Sequence, residues 1–66
     1  MELVFIRPWT DLDRTFQPGE VITVKDGDVL IAHRNIRKHG EAVDLVPYGK
    51  YNIPLTFTKR EERRGD

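Results

Sequence analysis

The first half of the chain places short apolar runs between turn residues, a pattern typical of small antiparallel β proteins. Residues 2–6 form the first apolar run, which ends before Pro8 because proline cannot donate a hydrogen bond to a sheet. Residues 7–19 show no sustained hydrophobic period. We therefore predict an ordered loop there, which is held to the domain by Trp9, Leu12 and Phe16.

The next segment carries the clearest turn signals of the sequence. Pro18-Gly19 breaks the chain sharply, because Pro presets φ and Gly accepts a positive φ. Two apolar runs then follow, at residues 21–25 and 28–32, and Asp26-Gly27 separates them. Asp-Gly suits the two-residue turn of a β-hairpin. The pattern predicts a hairpin centred on these two residues.

The same region also supports a helix. Asp28 is a possible N-cap, the basic residues 37–39 would occupy the last turn, and Gly40 would follow the helix end. Against a helix, the first turn has no Glu and residues 29–31 form a continuous run rich in β-branching. We favour the hairpin and keep a helix at residues 29–39 as the alternative.

The second half predicts two further strands and a tail. Residues 41–46 alternate in polarity up to Pro47, and residues 52–58 alternate around Pro54, which indicates an edge strand. Residues 60–66 contain no apolar side chain. We predict one small domain at residues 1–59 and a charged, disordered tail at residues 60–66.

These segments predict a mainly β fold, a five-stranded SH3-like or OB-like barrel with a short helical turn near residues 34–39. The alternative is α+β, with a helix at residues 29–39 on a three- or four-stranded antiparallel sheet. The predicted core is mostly aliphatic: Leu3, Phe5, Val21, Val24, Leu30, Ile36, Val43, Leu45, Ile53, Leu55 and Phe57.

Composition narrows the classes of function. The 66 residues include no Cys, and eleven basic residues balance eleven acidic ones, so no overall field attracts DNA or a membrane. No apolar stretch approaches the roughly 20 residues of a membrane span. A chain of this length buries only about 60% of its unfolded surface, so a protein partner or a second copy is expected to add stability. We expect no membrane partner and a cytoplasmic location.

The residues that could carry catalysis or bind metal are few. His33 and His39 lie six positions apart, too few and too widely spaced for a zinc site. The pairs Asp11/Asp13 and Asp26/Asp28 lack the other ligands of a calcium loop and suit turn chemistry. We predict no catalytic residue, no metal site, no cofactor and no enzymatic activity.

Two groups of residues suggest binding. Trp9, Tyr48 and Tyr51 are expected in loops or turns, and Trp and Tyr are enriched at protein interfaces. Packing as a lid over the end of the barrel is their alternative role. Residues 33–39 form a basic segment without an acid, in which the candidate nucleic-acid contacts are Arg34, Arg37 and Lys38.

Three segments carry a resemblance to a known group of proteins. They are VFIRP at residues 4–8, RTFQPGEVI at residues 14–22, and the segment from Ile36 that ends in Gly40-Glu41-Ala42. Across residues 3–43 this order of elements resembles that of small phage and prophage proteins. The resemblance implies a viral accessory or virion-associated protein, located in the host cytoplasm or the virion, and carries over no functional residue.

Together these observations predict a small non-enzymatic phage or prophage protein that acts by protein–protein binding. It would be a virion component or a modulator of a host factor. The alternative is a small β-barrel that binds single-stranded nucleic acid through residues 33–39.

Overall fold

The computed structural model describes residues 1–40 and 44–61. Within these ranges the chain forms short strands, one α-helix and one 3₁₀ turn. In chain order they are β1 (Glu2–Phe5), β2 (Trp9–Asp11), β3 (Arg14–Phe16), β4 (Val21–Thr23), α1 (Asp26–His39), β5 (Leu45–Tyr48), β6 (Tyr51–Pro54), the 3₁₀ turn (Leu55–Phe57) and β7 (Thr58–Arg60).

The strands form three antiparallel sheets, and none of the sheets in the described ranges closes into a barrel. β1 lies at the centre of the largest, between β4 and β7, while β2–β3 and β5–β6 are two-stranded hairpins. Leu3 lies opposite Ile22 on one side and Arg60 on the other. Because side chains alternate along a strand, Leu3, Ile22 and Arg60 share the inner face of this sheet.

Helix α1 replaces the predicted hairpin, so the prediction of a turn at Asp26-Gly27 and a strand at residues 28–32 is wrong. Asp26 and Gly27 belong to the first helical turn, and the acidic first turn and basic last turn both complement the helix dipole. Gly40 ends the helix with φ +92°, and its N–H donates to the Ile36 carbonyl.

One apolar stripe of α1 faces the core, where the helix contacts β5 and the 3₁₀ turn. Val29 and Ala32 are buried and Ile36 is half-buried, at the spacing of three and four residues that a helix requires. The continuous run of residues 29–31 that favoured a strand is therefore divided between the buried and exposed sides of a helix. The fold, mainly strand with one helix, is consistent with the α+β alternative, and α1 begins three residues earlier than predicted there.

The segment predicted as a loop, residues 7–19, contains the β2–β3 hairpin. Trp9 pairs with Phe16 across it. Leu12 lies in the turn with φ +49° and is 69% exposed, so its predicted anchoring role is wrong. The turn at Pro18-Gly19 is confirmed, because Gly19 has φ +92° and the Glu20 N–H donates to the Gln17 carbonyl.

The second half differs from the prediction in where its strands end. Of the strand predicted at residues 41–46, residues 41–43 lie outside the described residues, and β5 continues to Tyr48. The strand predicted at residues 52–58 is divided by the 3₁₀ turn, which follows Pro54. β7 includes Arg60, and the Glu61 N–H donates to the Glu2 carbonyl. The rest of the predicted tail, residues 62–66, lies outside the described residues.

The core differs from the prediction by one position in three places. Val21, Leu30 and Leu45 are exposed, and a neighbour of each is buried instead. For Val21 and Leu45 this shift of one residue exchanges the two faces of a strand, whereas Leu30 lies in α1. Val43 lies outside the described residues, and Phe57 is half-buried. The buried apolar residues are Leu3, Phe5, Phe16, Ile22, Val24, Val29, Ala32, Val46, Ile53 and Leu55.

Candidate binding site

The three aromatic residues predicted to bind a protein lie on strands, rather than in the loops or turns expected for them. Trp9 belongs to β2, Tyr48 to β5 and Tyr51 to β6, and all three are half-buried against the core. The Trp9 indole N–H donates to the Asn52 carbonyl at 3.0 Å, and its ring packs edge-on against Phe57. These contacts join the β2–β3 hairpin to β6.

Tyr48 and Tyr51 pack edge-on against the ring of Phe16, with centroids 6.1 and 5.3 Å away. The Tyr51 hydroxyl donates to Asp13 at 2.8 Å, and Lys50 donates to the other oxygen of the same carboxylate at 2.9 Å. The hydrogen bonds from Lys50 and then Tyr51 lower the pKa of Asp13, and the bond to Asp13 raises the pKa of Tyr51. Trp9 and Tyr51 thus hold the two hairpins together, which is closer to the lid alternative.

The candidate nucleic-acid contacts all lie on α1. Arg34, Arg37 and Lys38 are all exposed, and Arg37 and Lys38 follow Arg34 by three and four residues, so they project from the same side of the helix as Arg34. Leu30 and Ile31 lie one turn earlier and are 56% and 58% exposed. The outward side of α1 is thus apolar near its middle and basic near its end.

A shallow depression of about 240 Å³ lies along one edge of this side, lined by Leu30, His33, Arg34 and Arg37. Lys38 and Ile31 do not line it. Two of the three predicted basic contacts therefore share a concave surface with an exposed leucine, and the third lies outside it.

A second, deeper cavity of about 290 Å³ separates α1 from β1 and β7. Its apolar lining comes from four residues: Met1, Leu3, Val29 and Leu55. Basic side chains from two elements complete the lining, His33 from α1 and Lys59 and Arg60 from β7, together with Thr58.

His33 lines both depressions, which therefore adjoin, and we call the two together the basic cleft. Its basic residues are His33, Arg34, Arg37, Lys59 and Arg60, and no Asp or Glu lines either depression. The chain has equal numbers of acidic and basic residues, so the absence of acidic residues from the cleft lining is a local feature of the surface. The basic cleft is suited to binding an anionic group beside an apolar one.

The sequence indicated only part of this cleft. Arg34 and Arg37 were identified by the run of basic residues, whereas Lys59 and Arg60 were not identified as contacts. The pairing of β7 with β1 brings these two residues beside the helix. The alternation of residues 53–58 does not extend to them, because Lys59 and Arg60 are two consecutive basic residues.

Carboxylates in the described ranges do not assemble into a metal site. No group of three or more His, Cys, Asp or Glu side chains there could hold an ion. Asp11 accepts the Asn52 N–H at 2.8 Å, while Asp26 and Asp28 lie in the first turn of α1. Asp44 is buried, and its Oδ2 has no hydrogen-bond partner among the described residues.

No helix in residues 1–40 or 44–61 is long and apolar enough to cross a membrane. Comparisons with protein-family models, with curated proteins and with solved structures give no match. The geometry of the basic cleft is therefore the main basis for a functional proposal.

Proposed function

We propose that this chain is a non-enzymatic binding domain that recognises an acidic segment of a protein partner through the basic cleft. One observation carries the proposal. Two depressions meet at His33 and together present five basic residues, an exposed leucine and an apolar cavity, without an acid. Charge complementarity selects an acidic partner, and the apolar lining selects one that also carries aliphatic side chains.

A protein partner fits this surface better than single-stranded nucleic acid does. Proteins that bind single strands stack the bases on aromatic side chains, and no aromatic residue lines either depression. Trp9 and Tyr51 are aromatic residues of the kind that stack on bases, but their polar atoms form hydrogen bonds within the domain. The nucleic-acid alternative also assumed a loop at residues 33–39, where the structure has a helix.

The biological setting comes from the sequence resemblance to small phage and prophage proteins. We propose on that basis a virion component or a modulator of a host factor, acting in the host cytoplasm. A second copy of the chain is the other partner predicted from the sequence. Sedimentation at increasing concentration distinguishes self-association from a different partner.

The experiment compares two probes that each carry four negative charges. One is the capped peptide Glu-Glu-Leu-Glu-Glu, and the other is a strand of five thymidines joined by four phosphodiesters. Each is titrated by NMR into the wild type, the double variant Arg34→Glu/Arg37→Glu and the control Lys38→Glu at two salt concentrations. Circular dichroism establishes that the variants keep their helix.

The peptide is expected to bind more tightly than the thymidine strand. The double variant should weaken its binding at least about tenfold, since two attractive charges become repulsive. Lys38→Glu should change it less than threefold because Lys38 lines neither depression. Tighter binding of the thymidine strand, with a steep loss on adding salt, would replace this function with nucleic-acid binding.

A further inference from the structure

We infer that the cavity between α1, β1 and β7 receives one aliphatic side chain of the partner's acidic segment, and that Arg60 binds the carboxylate next to it. This inference rests on the proposed function and specifies the chemistry of the partner. It assigns the two halves of the basic cleft different tasks. The cavity selects an aliphatic side chain, while Arg34 and Arg37 attract the acidic residues around it.

The walls of the cavity are suited to an apolar occupant. Leu3 and Val29 are buried, and Leu55 is almost fully so. Thr58 adds a hydroxyl group, which donates to the Leu55 carbonyl at 3.1 Å. No polar side-chain atom that is both buried and unpartnered lines the cavity in the described ranges. Water against Leu3, Val29 and Leu55 therefore has no side-chain partner on those walls, and an apolar group can replace it there without leaving a buried polar side-chain atom unpaired.

The size of the cavity allows a complete side chain. Its volume is about 290 Å³, whereas an apolar cavity of roughly 150 Å³ is enough to admit benzene. A leucine or isoleucine side chain is smaller than the cavity of this protein, and enough space is left at the opening for the backbone of the partner.

The sheet register identifies the basic residue beside this side chain. Arg60 lies opposite Leu3 and so shares the inner face of the sheet with the cavity wall. Lys59 also lines the cavity, but it lies opposite Val4, which is on the other face of the sheet. The Arg60 guanidinium can bind a carboxylate with two parallel hydrogen bonds, which fixes the orientation of the bound segment. We therefore expect Arg60, more than Lys59, to recognise the flanking acid.

The test uses three capped peptides in NMR titrations of the whole chain: Glu-Glu-Leu-Glu-Glu, Glu-Glu-Ala-Glu-Glu and Gln-Gln-Leu-Gln-Gln. We expect the leucine peptide to shift the methyl signals of Leu3, Val29 and Leu55 and to bind at least about tenfold more tightly than the alanine peptide, since three buried carbons are removed. Arg60→Gln should weaken the leucine peptide at least fivefold, and the control Lys38→Gln less than twofold.

The outcomes separate this inference from the proposed function. If the alanine and leucine peptides bind equally and both depend on Arg34 and Arg37, the proposed function holds and the cavity inference is wrong. If the Arg60→Gln variant binds the leucine peptide as tightly as the wild type does, the role of Arg60 is wrong. If the glutamine peptide binds as well as the leucine peptide, the proposed recognition of acidic segments is wrong. If none of the peptides binds to the wild type, both proposals are wrong.

Discussion

Phe16 connects more parts of the described fold than its position in a three-residue strand suggests. Its side chain is fully buried, its ring stacks on Phe5 with centroids 4.9 Å apart, and both Tyr48 and Tyr51 pack against its edges. Arg14 lies over the same ring at 4.2 Å. A single side chain thus joins the central sheet to both hairpins.

Truncating Phe16 is expected to remove much of the stability of the domain. Phe16→Ala should lower the free energy of unfolding by about 3–5 kcal/mol, the usual loss for a buried Phe. A domain of this length has a total of only about 3–10 kcal/mol. Phe57→Ala should cost less because Phe57 is only half-buried. Urea unfolding measures both, and an equal or larger loss for Phe57→Ala would contradict this description of the core.

The hydrogen bond between Asp13 and Tyr51 joins the β2–β3 hairpin to the β5–β6 hairpin, so the packing of the two hairpins is expected to depend on pH. Because the pKa of Asp13 is lowered, its contribution to the stability of the folded protein is present above the ordinary Asp pKa. This contribution is lost as the pH falls through the lowered pKa. Because the pKa of Tyr51 is raised, its contribution to the stability of the folded protein is present below the ordinary Tyr pKa. This contribution is lost as the pH rises through the raised pKa.

Asp13→Asn tests this coupling directly. The substitution removes the carboxylate that accepts the Tyr51 hydroxyl and opposes its ionisation, so the pKa of Tyr51 should fall towards its ordinary value. Ultraviolet titration of the phenols measures the shift, with Tyr51→Phe identifying which transition belongs to Tyr51. An unchanged Tyr51 transition in Asp13→Asn would show that the bond is not formed in solution.

At the scale of elements, the hairpin and helix predictions for residues 26–39 used the same residues. Asp26-Gly27 suits a type I′ turn, and an acidic residue near a helix N-terminus is also favourable. The local sequence therefore left the two structures close in energy. Burial of Val29 and Ala32 against the rest of the domain selects the helix, and this contribution depends on tertiary packing that the local pattern does not contain.

Gly27→Ala has opposite expected effects in the two structures. In helix α1 the added Cβ meets no atom within 4 Å, so the substitution should stabilise the protein by about 0.4–1 kcal/mol through a less flexible unfolded chain. In a type I′ hairpin the same position needs a positive φ, and alanine would destabilise. Thermal or urea unfolding measures whether Gly27→Ala raises or lowers the free energy of unfolding.

Gly19→Ala is the matched control for this measurement. Gly19 has φ +92°, which alanine adopts only with strain, so this variant should be less stable than the wild type by more than about 1 kcal/mol. If Gly27→Ala destabilised the protein as Gly19→Ala does, residues 26–27 would form a turn and the description of α1 would be wrong.

At the scale of the whole molecule, the sequence predicted the parts of the fold that depend on local chemistry. The apolar run of β1, the Pro18-Gly19 turn and the run of β4 are close to their predicted positions. Arg34 and Arg37 were also identified from local charge. The cavity lined by His33 was not predictable in this way, because it exists only once β7 pairs with β1 and α1 packs against β5 and the 3₁₀ turn.

Paramagnetic NMR with a spin-labelled Glu-Glu-Leu-Glu-Glu peptide shows directly whether acidic partners bind at the basic cleft. The label is attached through a cysteine added to the end of the peptide; the protein itself has no Cys. We predict the strongest broadening of amide signals at residues 30–37 and 58–60. If the broadening is strongest around Trp9, Tyr48 and Tyr51 and the cleft signals are unchanged, the peptide does not bind at the basic cleft. That result would support binding by these three aromatic residues instead.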